Sequence, residues 1–137
     1  MSARRSASEG APLPSLGIDL VEIEEFEASL ARRPALLARV FTPGELAYCR
    51  ARPRAVEHLA ARFAAKEAVF KAAGTGWADG TSWRHIEVVS VEGERPTLRF
   101  RGALRERLGD RPVRSSLSLS HSGSYAIAAV LLWSEPA

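Results

Sequence analysis

Lys66, Glu67 and Lys71 fall close together in one stretch, with Arg62 just before them and Gly74-Thr75-Gly76 just after. Asp19 lies far upstream. Asp19 and Glu67 are all-oxygen donors on separate elements. Such pairs suit Mg²⁺, which takes one or two carboxylates and completes its shell with water and substrate phosphate. His58, His85 and His121 have no Cys-pair spacing, so a structural zinc site is not indicated. The glycine turn lets a ligand approach the backbone. It matches neither known nucleotide loop: no Walker sequence is present, Gly74, Gly76 and Gly80 have the wrong spacing, and the turn follows a helix instead of opening one. On local grounds it reads as a C-cap with a left-handed glycine. Glu67 and Lys71, at i and i+4, equally make a helix-stabilising pair.

The elements that must hold these groups can be read from pattern. Val56–Gly76 reads as one long helix running into the glycine turn, since Leu59–Ala73 is rich in Ala and straight-chain residues and holds no Gly or Pro. At about 100° per residue, Val56, Leu59, Phe63 and Phe70 share an apolar stripe, and Lys66 falls inside it. A buried ammonium needs a partner because desolvating it is costly; the alternative is a side chain that snorkels to water. Leu16–Ile23 is predicted to be a buried strand. Asp19 is out of place there, so it either faces water at a strand end or is held for its charge.

Glu24–Val40 is predicted to be an amphipathic helical stretch broken near Pro34. Thr42-Pro43-Gly44-Glu45 is a capping box with Pro at the first helical position, opening a short helix that ends before Pro53. His85–Val91 and Thr97–Arg101 flank a turn and read as a hairpin. Ala103–Leu108 reads as a short helix closed by Gly109. Val113–His121 and Tyr125–Trp133 form a second hairpin across Ser122-Gly123-Ser124. His121 continues the inward alternation of Leu117 and Leu119, the position of a core histidine. This order predicts an α+β fold, with the long helix packed on a mostly antiparallel sheet.

The 137 residues suffice for one domain with a real core. Met1–Ser15, rich in Ser, Ala, Pro and Gly, is predicted to be a disordered lead-in, with residues 16–137 as the single domain. The net charge of +3 favours anionic partners such as nucleotides, nucleic acid or an acidic protein. Cys49 is alone, which excludes an intrachain disulfide and points to a reducing cytoplasm. No apolar run approaches the roughly 20 residues of a membrane span. A small basic nucleic-acid-binding protein is the rival reading. The scattered phenylalanines and the lack of any module pattern argue against it.

Three motifs in order carry a specific resemblance: Gly17-Ile18-Asp19-Leu20-Val21-Glu22, then Arg62-Phe63-Ala64-Ala65-Lys66-Glu67-Ala68 with Lys71 and Gly74-Thr75-Gly76, then Ser118-Leu119-Ser120-His121-Ser122. Together they resemble the holo-acyl-carrier-protein synthases, the small class of 4′-phosphopantetheinyl transferases. The resemblance covers Leu16 to Trp133, and Thr42–Leu46 and Ser82-Trp83-Arg84 fit it too. It implies transfer of the phosphopantetheine arm of coenzyme A to a serine of an apo acyl carrier protein, with release of adenosine 3′,5′-bisphosphate. It implies Mg²⁺ on Asp19 and Glu67. Arg62, Lys66, Lys71, the Gly74–Gly76 turn including Thr75, and His121 would bind coenzyme A, with Glu67 and Lys71 in catalysis. It further implies a homotrimer in which His121 reaches the coenzyme of a neighbouring protomer. Carrier proteins are acidic, so Arg32, Arg33 and Arg39 are candidate docking charges. The chain departs from the family pattern in its N-terminal extension and at His85, a position that is often Asp.

Overall fold

The computed structural model describes residues 12–74, 80–109 and 112–135. The first strand, β1 (Ser15–Glu22), leads directly into α1 (Ile23–Arg32), and α2 (Leu36–Val40) follows a break at Pro34. The capping box then opens α3 (Pro43–Arg50): the Thr42 side chain accepts from Glu45 N, and Glu45 Oε1 accepts from Thr42 N. The long helix is α4 (Ala55–Ala73), closed by Gly74 at φ 70°. Among the described residues after Gly80, a 3-10 turn at Trp83–His85 precedes β2 (Ile86–Val89) and β3 (Thr97–Phe100). Then come α5 (Gly102–Arg107), β4 (Val113–Ser122) and β5 (Tyr125–Ser134). The β4–β5 loop is two residues long, with Gly123 at φ 58°, as a tight hairpin requires.

The strands form two antiparallel sheets, one ordered β1-β5-β4 and one pairing β2 with β3. The fold is α+β as predicted. Its centre is α4, which packs against β1, β4, β5, β2, α1 and α3. The helix is therefore buried nearly all round, where the wheel predicted a single stripe. Alanine makes this possible. Ala60, Ala61, Ala64, Ala65, Ala68 and Ala72 are all buried, which lets strands approach the helix backbone. The closest approach is at Gly17, where an added Cβ would collide with the Ala68 carbonyl oxygen. Glycine is required there, and it brings the next residues of β1 against the C-terminal half of α4.

β1 is covered on one side only. Gly17 and Val21 face the helix, whereas Leu16, Ile18 and Leu20 are exposed, a correction to the buried strand predicted from sequence. β5 behaves alike: Ala126, Ala128, Val130 and Leu132 are buried, while Ile127 and Leu131 face outward. These outward residues make an apolar sheet face that is uncovered among the described residues. Among the described residues, no helix is long and apolar enough to cross a membrane.

Candidate active site

Because Gly17 seats β1 on α4, Asp19 comes beside the helix end. Lys71 Nζ lies 2.8 Å from Asp19 Oδ1 and donates to the Ile18 carbonyl at 3.2 Å. The Lys71 side chain is 57% exposed and that of Asp19 17%, so the pair opens to solvent. One turn earlier, Glu67 Oε1 accepts the Trp83 indole N–H at 2.7 Å. Asp19 and Glu67 both line a groove of about 670 Å³ walled by Phe26, Leu30, Phe63 and Trp83. Among the described residues no group of three or more His, Cys, Asp or Glu is placed to hold a metal. The donor set is thus two carboxylates in an open groove. It fits Mg²⁺, which leaves most of its shell to water and phosphate, and not a closed protein cage.

Lys66 does something else. It is fully buried, with Nζ 2.8 Å from Glu45 Oε1, itself fully buried. The same ammonium donates to the carbonyls of Trp83 and Ile86. Glu45 Oε2 accepts from Val88 N at 2.8 Å, so one ion pair ties α4 to α3, the 3-10 turn and β2. Burial pushes the Lys66 ammonium below its ordinary range, and the charge and hydrogen bond of Glu45 draw it back up. Lys66, expected among the coenzyme contacts, has its ammonium engaged inside the protein. The apolar position was real, and the partner was the residue that had announced itself only as a helix cap.

Arg62 opens a second region. Its guanidinium is buried, donating to the His58 carbonyl at 3.3 Å and to Ser90 Oγ at 2.9 Å, and its Nε has no hydrogen-bond partner among the described residues. The Tyr48 ring stacks with both Arg52, at 3.3 Å, and Arg62, at 4.7 Å. Arg62, His58, Arg95 and His121 line a cavity of about 350 Å³. His121 is no core residue. Its strand runs past the helix, leaving the side chain 42% exposed, 3.6 Å from Glu57 and with its ring 6.2 Å from that of His58. Burial, and then the Arg62 charge, hold His58 below its usual 6.5.

The two cavities share no lining residue. At about 100° per residue, Phe63 and Glu67 lie on nearly the opposite face of α4 from His58, Ala61 and Arg62. The structure thus brings Asp19, Glu67 and Lys71 together and sets Arg62 and His121 apart from them. Gly74 caps the helix, its N–H donating to the carbonyls of Phe70 and Lys71. Thr75 and Gly76 lie outside the described residues. Arg32, Arg33 and Arg39 are exposed on α1, at its end and on α2, and Arg32 also lines the larger groove. Sequence reasoning missed Trp83 as the partner of Glu67 and His58 as the neighbour of Arg62. Trp83 carried one signal, its place in a motif segment.

Comparison with known proteins gives the family. The family model of the 4′-phosphopantetheinyl transferase superfamily matches residues 15–130. The chain is 45% identical over 120 residues to the holo-[acyl-carrier-protein] synthase of Koribacter versatilis, covering 85% of this chain and 94% of that protein. It is 48% identical over 117 residues to that of Moorella thermoacetica, covering 85% and 91%. Among solved structures, an ACPS–CoA complex from Chronobacterium ammoniagenes superposes with a TM-score of 0.77 at 34% identity, covering 91% of this chain and 100% of that one. The open carboxylate pair, the lysine beside it and these matches lead to one conclusion: the chain belongs to the holo-[acyl-carrier-protein] synthases of the 4′-phosphopantetheinyl transferase superfamily.

Proposed function

We propose that this chain, through a single transferase domain at residues 16–137, transfers the 4′-phosphopantetheine arm of coenzyme A to a serine of an apo acyl carrier protein, releasing adenosine 3′,5′-bisphosphate. The observation that carries the chemistry is the placement of Asp19 and Glu67 on one groove with Lys71 at 2.8 Å from Asp19. Attack of a serine hydroxyl on a diphosphate needs charge neutralisation and a clamp on both reactants. Asp19 and Glu67 would hold Mg²⁺, which would supply Lewis-acid polarisation of the diphosphate oxygens. Lys71, exposed and already oriented by Asp19 and the Ile18 carbonyl, balances negative charge on the departing bisphosphate. The serine proton passes to Glu67 or to a water beside it.

Arg62 and His121 supply the cationic contacts for the rest of coenzyme A. They lie on the other side of α4, so the full binding surface forms between copies. The uncovered apolar face of β1 and β5 supports such an assembly, and a closed homotrimer gives three equivalent sites. Exposed Arg32, Arg33 and Arg39 face an acidic carrier protein. The enzyme would serve fatty-acid or polyketide carriers in the cytoplasm. The test is direct. Purified protein, coenzyme A and apo carrier protein are mixed and the carrier's intact mass is followed. A phosphopantetheine increment that needs Mg²⁺ and disappears with chelator is expected. An unmodified carrier at saturating Mg²⁺ would overturn the proposal.

A further inference from the structure

We infer that Trp83 is a positioning residue for Glu67: its indole N–H sets the orientation in which that carboxylate meets the metal. The inference rests on the reading of Glu67 as a metal ligand and adds a residue to it. Glu67 Oε1 accepts the indole N–H at 2.7 Å. An indole N–H only donates, so it serves a carboxylate without taking or giving a proton. It is also neutral. Asp19 is oriented by the Lys71 cation, which offsets its charge, whereas Glu67 is oriented by a group that leaves its full negative charge for a cation.

The turn that carries the indole is itself anchored, and the ring is packed. The Trp83 carbonyl accepts from the buried Lys66 ammonium at 3.1 Å, which anchors the backbone of the turn. Ser82 caps that turn, its Oγ accepting from Arg84 N and its own N–H donating to His85 Nδ1, both at 3.2 Å. The indole ring packs against Phe63 at 6.0 Å between centroids, and Phe63 stacks on Phe26 at 5.4 Å. The buried Lys66–Glu45 pair thus reaches Glu67 through the turn it clamps. This gives His85, which stands where the family often has Asp, a concrete role as well: its ring nitrogen accepts the cap hydrogen bond that a carboxylate would accept. Partners that orient metal-binding side chains typically carry about 10- to 100-fold in metal affinity.

The test uses the full chain with coenzyme A present and Mn²⁺ as the probe, free Mn²⁺ being read by its paramagnetic resonance signal. Trp83→Phe keeps an aromatic ring against Phe63 and removes the donor together with the five-membered ring that carries it. We expect about 10-fold weaker Mn²⁺ binding, with an unchanged melting midpoint and a turnover that recovers at high metal. The double variant Trp83→Phe/Glu67→Gln should bind Mn²⁺ no more weakly than Glu67→Gln alone. If Trp83→Phe binds Mn²⁺ like the unsubstituted chain while Glu67→Gln does not, the positioning role is wrong. If the double variant is weaker still than Glu67→Gln, Trp83 acts on the groove in general, and the inference also fails. Mn²⁺ binding that survives Glu67→Gln would overturn the metal assignment itself, a separate result.

Discussion

The two cavities flanking α4 are made from opposite chemistry. The larger one gathers the carboxylates Asp19 and Glu67 among aromatic walls, with a single exposed lysine at its edge. The smaller one gathers Arg62, Arg95, His58 and His121, with an arginine Nε that has no partner among the described residues. Coenzyme A carries phosphates at both ends of its nucleotide; a basic surface meets a phosphate directly, whereas a pair of carboxylates would meet one only through a bound cation. One chain presents them on opposite faces of a helix. Under the proposed function the difference would be a division of labour: the acidic cavity would do the transfer, the basic cavity would hold the coenzyme, and a second copy would bring them together.

This contrast can be broken by kinetics. Asp19→Asn should lose about 10³-fold or more in kcat, comparable to removing a main charge-stabilising group, with little change in KM for coenzyme A. His121→Ala should do the reverse, raising that KM about 10-fold, the scale of one charge-assisted hydrogen bond, with kcat nearly intact. Steady-state rates against coenzyme concentration separate the two. Equal losses of kcat from both variants would dissolve the distinction.

Lys66→Met sharpens the contrast by striking the frame common to both regions. Removing one member of a buried ion pair leaves Glu45 uncompensated, at a cost of about 3–5 kcal/mol. Denaturant unfolding should show that loss. Lys71→Met, at an exposed pair, should cost at most about 1 kcal/mol while still lowering turnover. Two lysines five positions apart on one helix would then be separated into framework and site.

The smallest effect concerns pH. His58 is held below its usual 6.5 by burial and then by the Arg62 charge. Between 6.5 and its folded value, the unfolded chain binds more protons than the native one. Its contribution to stability is therefore complete above 6.5 and is lost as pH falls toward the folded value. His58→Phe should flatten the stability profile in that acid window, as read by melting midpoints from pH 7 to pH 5. A profile identical to that of the unsubstituted chain would mean that His58 titrates normally.

How much of this was legible depended on range. The capping box at Thr42–Glu45, the alanine-rich α4 and the β4–β5 hairpin are local patterns, and the structure keeps them nearly residue for residue. Asp19 and Glu67 could be marked as a candidate hard-cation pair because donor chemistry is a property of residue type, and the structure sets both on one groove. The partner of Lys66 was not legible. Glu45 lies in another helix, and its local role as a cap masked its second role, since one carboxylate serves both. The single-sided burial of β1 was hidden for a similar reason: a continuous apolar strand reads as buried whether its second cover comes from its own chain or from another. The direction of the Trp83 indole depends on a 3-10 turn anchored from α4, which no window of sequence contains.

The central claim is that the site is completed between copies, and mixing two damaged chains tests it most directly. Asp19→Asn and His121→Ala are each assayed alone at low coenzyme A, where the first is inactive and the second keeps about a tenth of the unsubstituted rate. They are then dissociated together, reassociated, and assayed again for carrier modification by intact mass. Under random mixing in a closed ring, about one interface in four joins an intact Asp19 to an intact His121. Activity should reappear in the mixture at that fraction of the unsubstituted level. Subunits that demonstrably exchange yet never regain activity, or an unsubstituted chain that is fully active as a sedimenting monomer, would contradict the account.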